Sequence, residues 1–547
     1  MKIAPNPTGL RYSMMRVLEE CENVAADFNA DSVHDLRVSL RRCRSVADGL
    51  IAIDPHPEWK AMKKAGRRLF QRLGDLRDVQ IMMEWIEKLH PHSASGARET
   101  VPATAEAAQN PDEPTNVDAG TIASAGDARD PVAVALLGIL EPRETEQKRE
   151  ARAALEEFDQ KKWREWSQFL PQRAARIRAG SAVFKHLALE RWTAARDLHA
   201  RALRNRSKVA LHTLRIGIKR FRYIVENFLP EEHKAWSGDL KHIQDLLGEV
   251  HDLDVLWATA LACRVFHDEG ARERWHLRIS EERNRRVSEY RHRMVGPESL
   301  WHIWRKGLPQ GKQVHELATR RLKLWAKVLD PDFAHSERVS RFALTLYDQL
   351  VVAQLLRPND EVNARDSLLA GAALHDVGKS GGEKGHHKES MKLIREHETP
   401  LGWNPRDLQR AAIVARFHAG ALPTRRHKLL RDLLPPEQKL TIQLAAILRL
   451  ANALDAAHDG HIRRIQIENI EPANRASRHR RTHGFLRKRV GLAANEPLII
   501  AAEGYASGNP IAQTIAAERY LLETVLRRAV VVKPMKGPAA IEGKGVS

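Results

Sequence analysis

The chain has 547 residues, which exceeds the length of one ordinary domain, so two or three folded units are expected. Hydrophobic residues make up 43% of the sequence, and this content excludes a chain that is disordered throughout. The 89 Lys and Arg residues outnumber the 70 Asp and Glu residues, and the formal charge of +19 favours a polyanionic partner: nucleic acid, an anionic membrane or a phosphate polymer.

Cysteine content and hydropathy predict the compartment. Three cysteines, Cys21, Cys43 and Cys263, exclude a disulfide framework and a CxxC zinc site, and they fit a reducing environment. The longest apolar run, around Val132 to Leu140, is about half of the roughly 20 residues that a membrane helix needs. The N-terminus lacks the apolar segment of a signal peptide. A cytoplasmic protein without a membrane partner is therefore expected.

The periodicity of apolar residues predicts a mainly all-α fold. Residues 1–310 carry apolar residues three and four apart, except for 91–130, whose Ala, Pro, Ser, Thr, Asp and Asn content predicts a disordered insertion. The charged stretch from Arg272 to Arg293 predicts an exposed helix that leads to a second α-helical unit over 311–480, helical to about Asn474. Residues 481–547 predict a small α+β appendage with one or two strands, a helix and a short final strand.

An internal repeat occurs in the first half of the chain. HDLRVSLRRCR, from His34 to Arg44, resembles HTLRIGIKRFR, from His212 to Arg222. Each is followed by a second matching piece, LGDLRDVQ from Leu73 and LGEVHDLDV from Leu247. The agreement of both pieces in order indicates a duplicated unit.

The repeat places like charges on one helix face. Histidine and basic residues recur at i, i+3, i+7 and i+10 in both copies: His34, Arg37, Arg41 and Arg44, then His212, Arg215, Lys219 and Arg222. Such groups repel one another unless an anion lies across them. The alternative is a solvated basic face whose carboxylate partners are Asp75 and Asp78 in one copy, and Glu249, Asp252 and Asp254 in the other.

The apolar residues between these charges are expected to bury the opposite helix faces. They are Leu36, Val38 and Leu40 in the first copy and Leu214, Ile216 and Ile218 in the second.

These paired segments resemble the CHAD domain, the conserved-histidine α-helical domain, over about residues 1–310. The resemblance implies a duplicated four-helix bundle, with pseudo-repeats at about 1–90 and 180–300, that binds inorganic polyphosphate in a basic cavity and can direct proteins to polyphosphate granules. By position, the implied polyphosphate-binding residues are His34, Arg37, Arg41, Arg42, Arg44, His212, Arg215, Lys219, Arg220 and Arg222. Guanidinium groups suit this ligand because each can donate two parallel hydrogen bonds to phosphate oxygens.

The second half contains a mixed set of imidazoles and carboxylates. The motifs that carry it are HSERVSRFALTLYDQL, LLAGAALHDVGK, GHHKES, ARFH and LRLANALD. This donor set suits a divalent transition metal such as Mn, Fe, Ni or Zn better than Mg. An isolated histidine on a helix is more often a core or surface residue, so the adjacency of His375 and Asp376 is the informative feature.

The same motifs resemble the HD domain of phosphohydrolases, and within it the C-terminal helical domain of the Ppx/GppA exopolyphosphatases. The resemblance implies metal ligands at His335, His375 and Asp376, a second metal at His386 and His418, and a phosphate contact from Lys379. Catalysis would then rest on His375, Asp376 and Lys379, with a metal that makes hydroxide from water.

The closing position of this implied metal site departs from the pattern. Asn452 stands at the first position of a DxxD element and Asp455 at the second, and a neutral amide binds a divalent ion more weakly than a carboxylate. Three alternatives stay open: a loosely held metal, substitution by Asp455, or a degenerate site. The string VGKS at 377–380 fails as a P-loop because residue 373 is Ala.

Three functions follow from the sequence. The first is an inorganic polyphosphate-binding protein whose second half senses or hydrolyses phosphate compounds. The second is an active metal-dependent phosphohydrolase acting on polyphosphate or a nucleotide. The third is nonspecific nucleic-acid binding through the same charge, to which the basic run Arg475 to Arg489 would add, although the 5% aromatic content disfavours a single-strand stacking surface.

Overall fold

The computed structural model describes residues 9–26, 28–90, 130–205, 207–357, 363–468, 496–508 and 510–535. The predicted insertion, apart from Asp130, and the basic run Arg475 to Arg489 lie outside these residues. The chain divides into two compact units. The N-terminal unit comprises Met1–Gly49 and Pro57–Leu308, and the C-terminal unit comprises Leu50–His56 and Pro309–Ser547.

The described part of the N-terminal unit consists of helices. Their bounds are α1 Leu10–Ala26, α2 Ala30–Ile51, α3 Pro57–Ala65, α4 Arg67–Leu89, α5 Pro131–Glu156, α6 Gln160–Ala174, α7 Ala182–Asn205, α8 Lys208–Phe228, α9 Pro230–Ala262, α10 Glu269–Met294 and α11 Leu300–Lys306. Helices of the second repeat pack as successive neighbours, α7 on α8, α8 on α9 and α9 on α10, and α4 of the first repeat packs on α5. Helices α4 and α9 join the two repeats, and the expected duplicated helical bundle is confirmed.

Local sequence signals set the bounds of α8, which carries the second basic face. The Ser207 hydroxyl caps the helix by accepting a hydrogen bond from the Ala210 amide at 3.1 Å. Pro230 then begins α9 at a position where a missing amide proton costs nothing. The basic face therefore lies on one uninterrupted helix of 21 residues.

The apolar residues of the repeat bury a narrower stripe than predicted. Leu36 and Leu40 are fully buried, as are Leu214 and Ile218, because residues four apart stack on one helix face. Ile216 is 37% exposed, so the prediction that it faces the core is wrong. A residue two positions along a helix turns about 200° away from the stripe.

Helix α10 corrects the prediction of an exposed connecting helix. Trp275, Ile279, Tyr290 and Met294 are buried, and α10 packs against α9 within the N-terminal unit. Charged residues occupy the other faces of α10, so the narrow apolar stripe was not recognised in the sequence.

The C-terminal unit is helical up to Ala453 and ends in a small sheet. Its elements are α12 Lys312–Leu329, α13 Phe333–Val352, α14 Ala364–Ala373, a 3-10 turn Val377–Gly381, α15 His386–Glu396, α16 Pro405–Arg416, α17 Lys428–Arg431, α18 Pro435–Ala453, β1 Arg464–Ile467, β2 Leu498–Glu503, α19 Pro510–Glu518, α20 Tyr520–Leu526 and β3 Val530–Pro534. Leu444, Ile447, Leu448 and Leu450 of α18 are fully buried and form the centre of its core.

The sheet has the order β1-β2-β3, with β1 antiparallel and β3 parallel to β2. The predicted strand, helix and final strand of this region correspond to β2, α19 with α20, and β3. The prediction of helix up to about Asn474 is wrong, because the chain turns through His458 and Gly460, both at positive φ, and enters β1. Alternating exposure along β1 buries Ile465 and Ile467 against the core.

The mainly all-α fold class with a small α+β end is confirmed. Among the described helices, none combines the length and apolar character required to cross a bilayer. Cys21 and Cys43 are buried, and all three cysteines are free thiols.

Candidate functional site

The two basic helices of the repeat lie side by side and run parallel. The Arg41 guanidinium lies 5.8 Å from the centre of the Tyr223 ring, and Asn227 Nδ2 donates to Ser45 Oγ at 2.9 Å. The second contact lies four residues after the first on both helices, from Arg41 to Ser45 on α2 and from Tyr223 to Asn227 on α8. The two helices therefore run in the same direction. The duplication therefore brings the two basic faces together.

Four basic side chains converge between these helices, and we name them the basic cluster: Arg37, Arg41, Arg215 and Lys219. Burial, and then the charges of the three guanidinium groups, lower the pKa of the Lys219 ammonium to about 8. Burial also lowers the pKa of Arg37, which keeps one donor on the Phe70 carbonyl oxygen at 3.3 Å. The cluster is partly buried and strongly self-repelling.

Two carboxylates, Asp78 of α4 and Asp252 of α9, lie beside the basic cluster. They occupy equivalent positions in LGDLRDVQ and LGEVHDLDV. Burial raises the pKa of Asp252 to about 6 even though Arg215 opposes the shift, and burial raises the pKa of Asp78 as well. Four cationic groups thus face two carboxylates, so an excess of positive charge remains for an anion.

Two buried polar atoms, one in the basic cluster and one beside it, lack hydrogen-bond partners among the described residues. Tyr223 Oη and Arg215 Nε are buried and form no hydrogen bond there. An unsatisfied buried donor costs about 1–3 kcal/mol, so both atoms would gain from a ligand oxygen. Burial and the charge of Arg215 lower the pKa of the nearby His251 to about 4, and its Nδ1 lies 3.4 Å from Nδ1 of His212.

Three further members of the predicted set have protein partners. Arg44 donates to the Lys63 carbonyl oxygen at 2.6 Å, so it points towards α3. Arg42 and Arg222 both face Glu226, at 3.7 and 3.8 Å. These arginines lie next to the basic cluster, but their charge is partly neutralised.

Two other members lie at the surface, as does His212, the tenth member of the set. Arg220 lines a separate cleft of about 260 Å³ together with Lys63, Arg191 and Tyr223. His34 is exposed near the start of α2. The structure thus brings four of the ten predicted residues into one cluster and distributes the others around it.

In the C-terminal unit, helix ends place the predicted metal ligands. His335 lies in the first turn of α13, where its amide donates to the capping Asp332 carboxylate at 3.2 Å. His375 and Asp376 follow α14, and His418 follows α16. Gly385, at φ +77°, allows the tight turn that starts α15 at His386. These ends lie close together because α13, α14 and α16 pack on α18, and α15 packs on α16.

Asp376 links two groups that could hold a metal: His335, His375 and Asp376 in the first, and Asp376, His386 and His418 in the second. Its Oδ1 lies 3.3 Å from His386 Nε2 and 3.6 Å from His418 Nε2. Its Oδ2 lies 2.8 Å from the Lys379 ammonium and 3.5 Å from His375 Nε2. Burial alone would raise the pKa of Asp376, but His375, His418 and Lys379 more than offset it and hold the pKa well below its usual value.

Asn452 and Asp455 surround His335. Asp455 Oδ2 lies 2.7 Å from His335 Nδ1, and Asn452 Oδ1 lies 2.9 Å from His335 Nε2. Asp455 also accepts from Arg338 Nε at 2.9 Å and from the Gly460 amide at 3.2 Å. The structure therefore places Asp455 behind His335, outside both candidate metal groups.

Several residues of these sites were missed by the sequence interpretation. Tyr223 and His251 lie beside the basic cluster, and their signal was weak because the repeat aligns them with Ser45 and Arg77. Arg338 holds Asp455, and the His458 ring stacks on His335 with centres 3.7 Å apart. Arg338 follows His335 by three residues, a spacing that could have suggested a shared partner.

Comparisons with known proteins match both halves of the chain. The CHAD domain matches residues 10–261, and the Ppx/GppA phosphatase, domain III, matches residues 316–499. The crystal structure of the CHAD domain from the plant Ricinus communis is 18% identical, with a TM-score of 0.33, and the match covers 56% of this chain and 94% of that chain. No curated protein matches. Both resemblances predicted from the motifs are confirmed, and the chain contains a CHAD domain followed by a Ppx/GppA-related domain.

Proposed function

We propose that this protein binds inorganic polyphosphate through its N-terminal unit. The observation that carries the proposal is the convergence of Arg37 and Arg41 from α2 with Arg215 and Lys219 from α8. The two carboxylates beside them leave an excess of positive charge. A phosphate chain carries one negative charge at each internal phosphate, so a few units would offset the repulsion within the cluster.

The burial of the cluster favours a thin anion over a nucleic-acid duplex. Arg37, Arg41, Arg215 and Lys219 are each partly covered by neighbouring helices. A duplex presents its phosphates on a broad surface and is best met by exposed basic side chains. A flexible phosphate chain can approach side chains that lie between two helices.

On this proposal the two units have different roles. The N-terminal unit attaches the protein to polyphosphate, including polyphosphate granules in the cytoplasm. The C-terminal unit senses or hydrolyses phosphate compounds. Its relation to the Ppx/GppA phosphatases supports a phosphate-linked role, because both halves then concern the same chemistry.

Calorimetric titration of the full chain with long-chain polyphosphate tests the proposal. Arg41→Ala and Arg215→Ala should each weaken binding roughly 10- to 100-fold, because each removes charged hydrogen bonds to phosphate oxygens. Arg149→Ala is the matched control, since Arg149 is an exposed arginine paired with Glu146 on α5. Equal affinity of all three variants and the wild type would contradict the proposal.

Competition with duplex DNA separates polyphosphate from nucleic acid as the ligand. At physiological salt, polyphosphate should displace a labelled duplex, whereas excess duplex should not displace polyphosphate. Duplex contacts made by exposed basic residues should also weaken steeply as salt is raised. Preferential retention of the duplex would favour the nucleic-acid alternative.

A second candidate function is hydrolysis of polyphosphate or a nucleotide in the C-terminal unit. It is favoured by the buried His375–Asp376 pair with the Lys379 ammonium 2.8 Å from the carboxylate. A divalent metal held there would supply a nucleophilic hydroxide near neutral pH. The Lys379 ammonium would then offset charge on a substrate phosphate, and Asp376 would hold that ammonium in place.

A screen of phosphate release from polyphosphate and nucleotides tests this second candidate. Activity should be lost in Asp376→Asn and strongly reduced in Lys379→Met, with Lys392→Met, on the exposed face of α15, as the control. Equal phosphate release by the wild type and Asp376→Asn would contradict hydrolysis at this site.

A further inference from the structure

A cleft of about 450 Å³ lies between α13 and β1 in the C-terminal unit. The described residues that line it include three arginines, Arg341 of α13, Arg463 and Arg464 of β1, and no Asp or Glu. Arg463 immediately precedes the strand. The volume of the cleft is in the range of protein sites for small ligands.

The three arginines of the cleft lack carboxylate partners within the described residues. Other arginines of this unit contact a carboxylate: Arg338, Arg365, Arg410 and Arg449. Glu503 stands opposite Arg464 in the pairing of β1 with β2 but forms no ion pair with it in the described structure, and Glu468 contacts Lys533 at 2.6 Å. The cleft therefore keeps uncompensated guanidinium groups, which suit phosphate oxygens.

Helix α13 and the chain that leads through β1 run in the same direction. Arg338 Nη2 donates to the His458 carbonyl oxygen at 3.0 Å. Further along both segments, Gln349 Oε1 accepts a hydrogen bond from the Ile467 amide at 2.5 Å. The order of the two contacts is the same on the helix and on the chain that pairs with it, so the two segments are parallel.

This parallel arrangement brings the arginines together at one end of the cleft. Arg463 precedes Ile467 by four residues, which span about 13 Å in extended chain. Arg341 precedes Gln349 by eight residues, which span about 12 Å in a helix. The similar spans place Arg341 beside Arg463 and Arg464, about 12 Å from Gln349.

The remainder of the cleft is uncharged. Phe342, Ile465 and Ile467 are buried and contribute an apolar floor. Because Gln349 Oε1 accepts from a backbone amide, the NH₂ group of Gln349 is left to donate to a ligand. Gln466 also lines the cleft, and its side-chain amide can both donate and accept. An apolar surface with amide groups at its edge suits a planar group that has hydrogen-bonding edges.

We propose that the C-terminal unit binds a nucleotide in this cleft, with its phosphates on Arg341, Arg463 and Arg464 and its base near Gln349. A nucleoside triphosphate carries its charge at one end and a planar base at the other, which matches the two ends of the cleft. The described lining residues include no histidine or carboxylate to act as a general base, so we expect binding without hydrolysis. The inference depends on neither polyphosphate binding by the N-terminal unit nor hydrolysis at Asp376.

Calorimetric titration of the full chain with ATP tests the proposal. The parent variant is Arg41→Ala/Arg215→Ala, which keeps the triphosphate from the basic cluster, and a chelator prevents divalent ions from linking ATP to the protein. It should bind one ATP per chain. Adding Arg341→Gln or Arg464→Gln should weaken binding roughly 10- to 100-fold, because each removes charged hydrogen bonds to phosphate. Arg395→Gln, at an exposed position on α15 outside the cleft, is the matched control.

Tripolyphosphate tests the uncharged end of the cleft. It should bind at least about tenfold more weakly than ATP, because it leaves the apolar floor uncovered. Gln349→Leu should weaken ATP binding roughly tenfold and leave tripolyphosphate binding unchanged, a pattern that a folding defect would not produce. Arg341 and Arg464 are exposed, so their replacement should leave the unit folded. No ATP binding by the parent variant, equal affinities for ATP and tripolyphosphate, or equal losses in Arg395→Gln and Arg464→Gln would overturn the proposal.

Discussion

Polyphosphate affinity should fall as pH rises through the pKa of Lys219. This ammonium lies among three guanidinium groups, and its pKa of about 8 means that it gives up its proton near physiological pH. An anion stabilises the protonated form, so binding above pH 8 requires uptake of a proton. The affinity is therefore greatest below pH 8 and is lost as pH increases.

The size of this effect follows from the fraction of Lys219 that is protonated. With a pKa of about 8, this fraction falls from about nine tenths at pH 7 to about one tenth at pH 9. If only the protonated form binds, affinity falls about tenfold, or about 1.4 kcal/mol. Lys219→Arg keeps the charge over this range, because an arginine pKa exceeds 12. Its affinity should stay nearly constant.

Calorimetric titration with long-chain polyphosphate at pH 7, 8 and 9 and fixed ionic strength measures both proteins. Long chains keep the contribution of terminal phosphates small, and Lys219→Arg corrects for any titration of the ligand. A parallel measurement of proton uptake in two buffers should give close to one proton for the wild type at pH 9. The reasoning is refuted if the wild type binds equally well at pH 7 and 9, or if Lys219→Arg loses affinity to the same extent.

Two other predictions follow from single residues. Asp252→Asn should raise polyphosphate affinity roughly tenfold at pH 7.5 by calorimetry, and the gain should vanish near pH 5, where a wild-type carboxyl with a pKa of about 6 is already neutral; an equal gain at both pH values would contradict this role. Gly378→Ala should lower the free energy of unfolding of the C-terminal unit by roughly 2–3 kcal/mol in thermal melts, because a Cβ there would overlap the His386 carbonyl oxygen. Gly381→Ala, whose Cβ would meet open space, is the matched control, and equal losses for the two variants would refute the steric argument.

The repeat was sufficient to predict which helix faces carry the basic cluster, because duplication preserved both register and residue type. It did not predict which members point inwards. Arg44 stands ten residues after His34, which turns it about 80° around the helix, and it reaches α3 instead. Such an outcome depends on the position of a neighbouring helix, which a single helical pattern does not contain.

The C-terminal motifs likewise predicted that His335, His375 and Asp376 lie together, with His386 and His418 beside them. The arrangement around His335 was not accessible from the motif, because Asp455 lies 120 residues away in sequence and its orientation depends on Arg338 and the turn at Gly460. The sequence raised Asp455 as a substitute ligand. The structure instead gives it hydrogen bonds that hold His335.

The parallel pairing of α2 and α8 has a consequence for the ligand. Arg37 corresponds to Arg215, and Arg41 to Lys219, so each half of the cluster offers nearly the same donors as the other. Nucleic acids have distinct 5′ and 3′ directions, and a site built from two equivalent halves gains nothing from that distinction. A linear polyphosphate is the same when its two ends are exchanged, so the chain could enter such a site in either direction with nearly equal contacts.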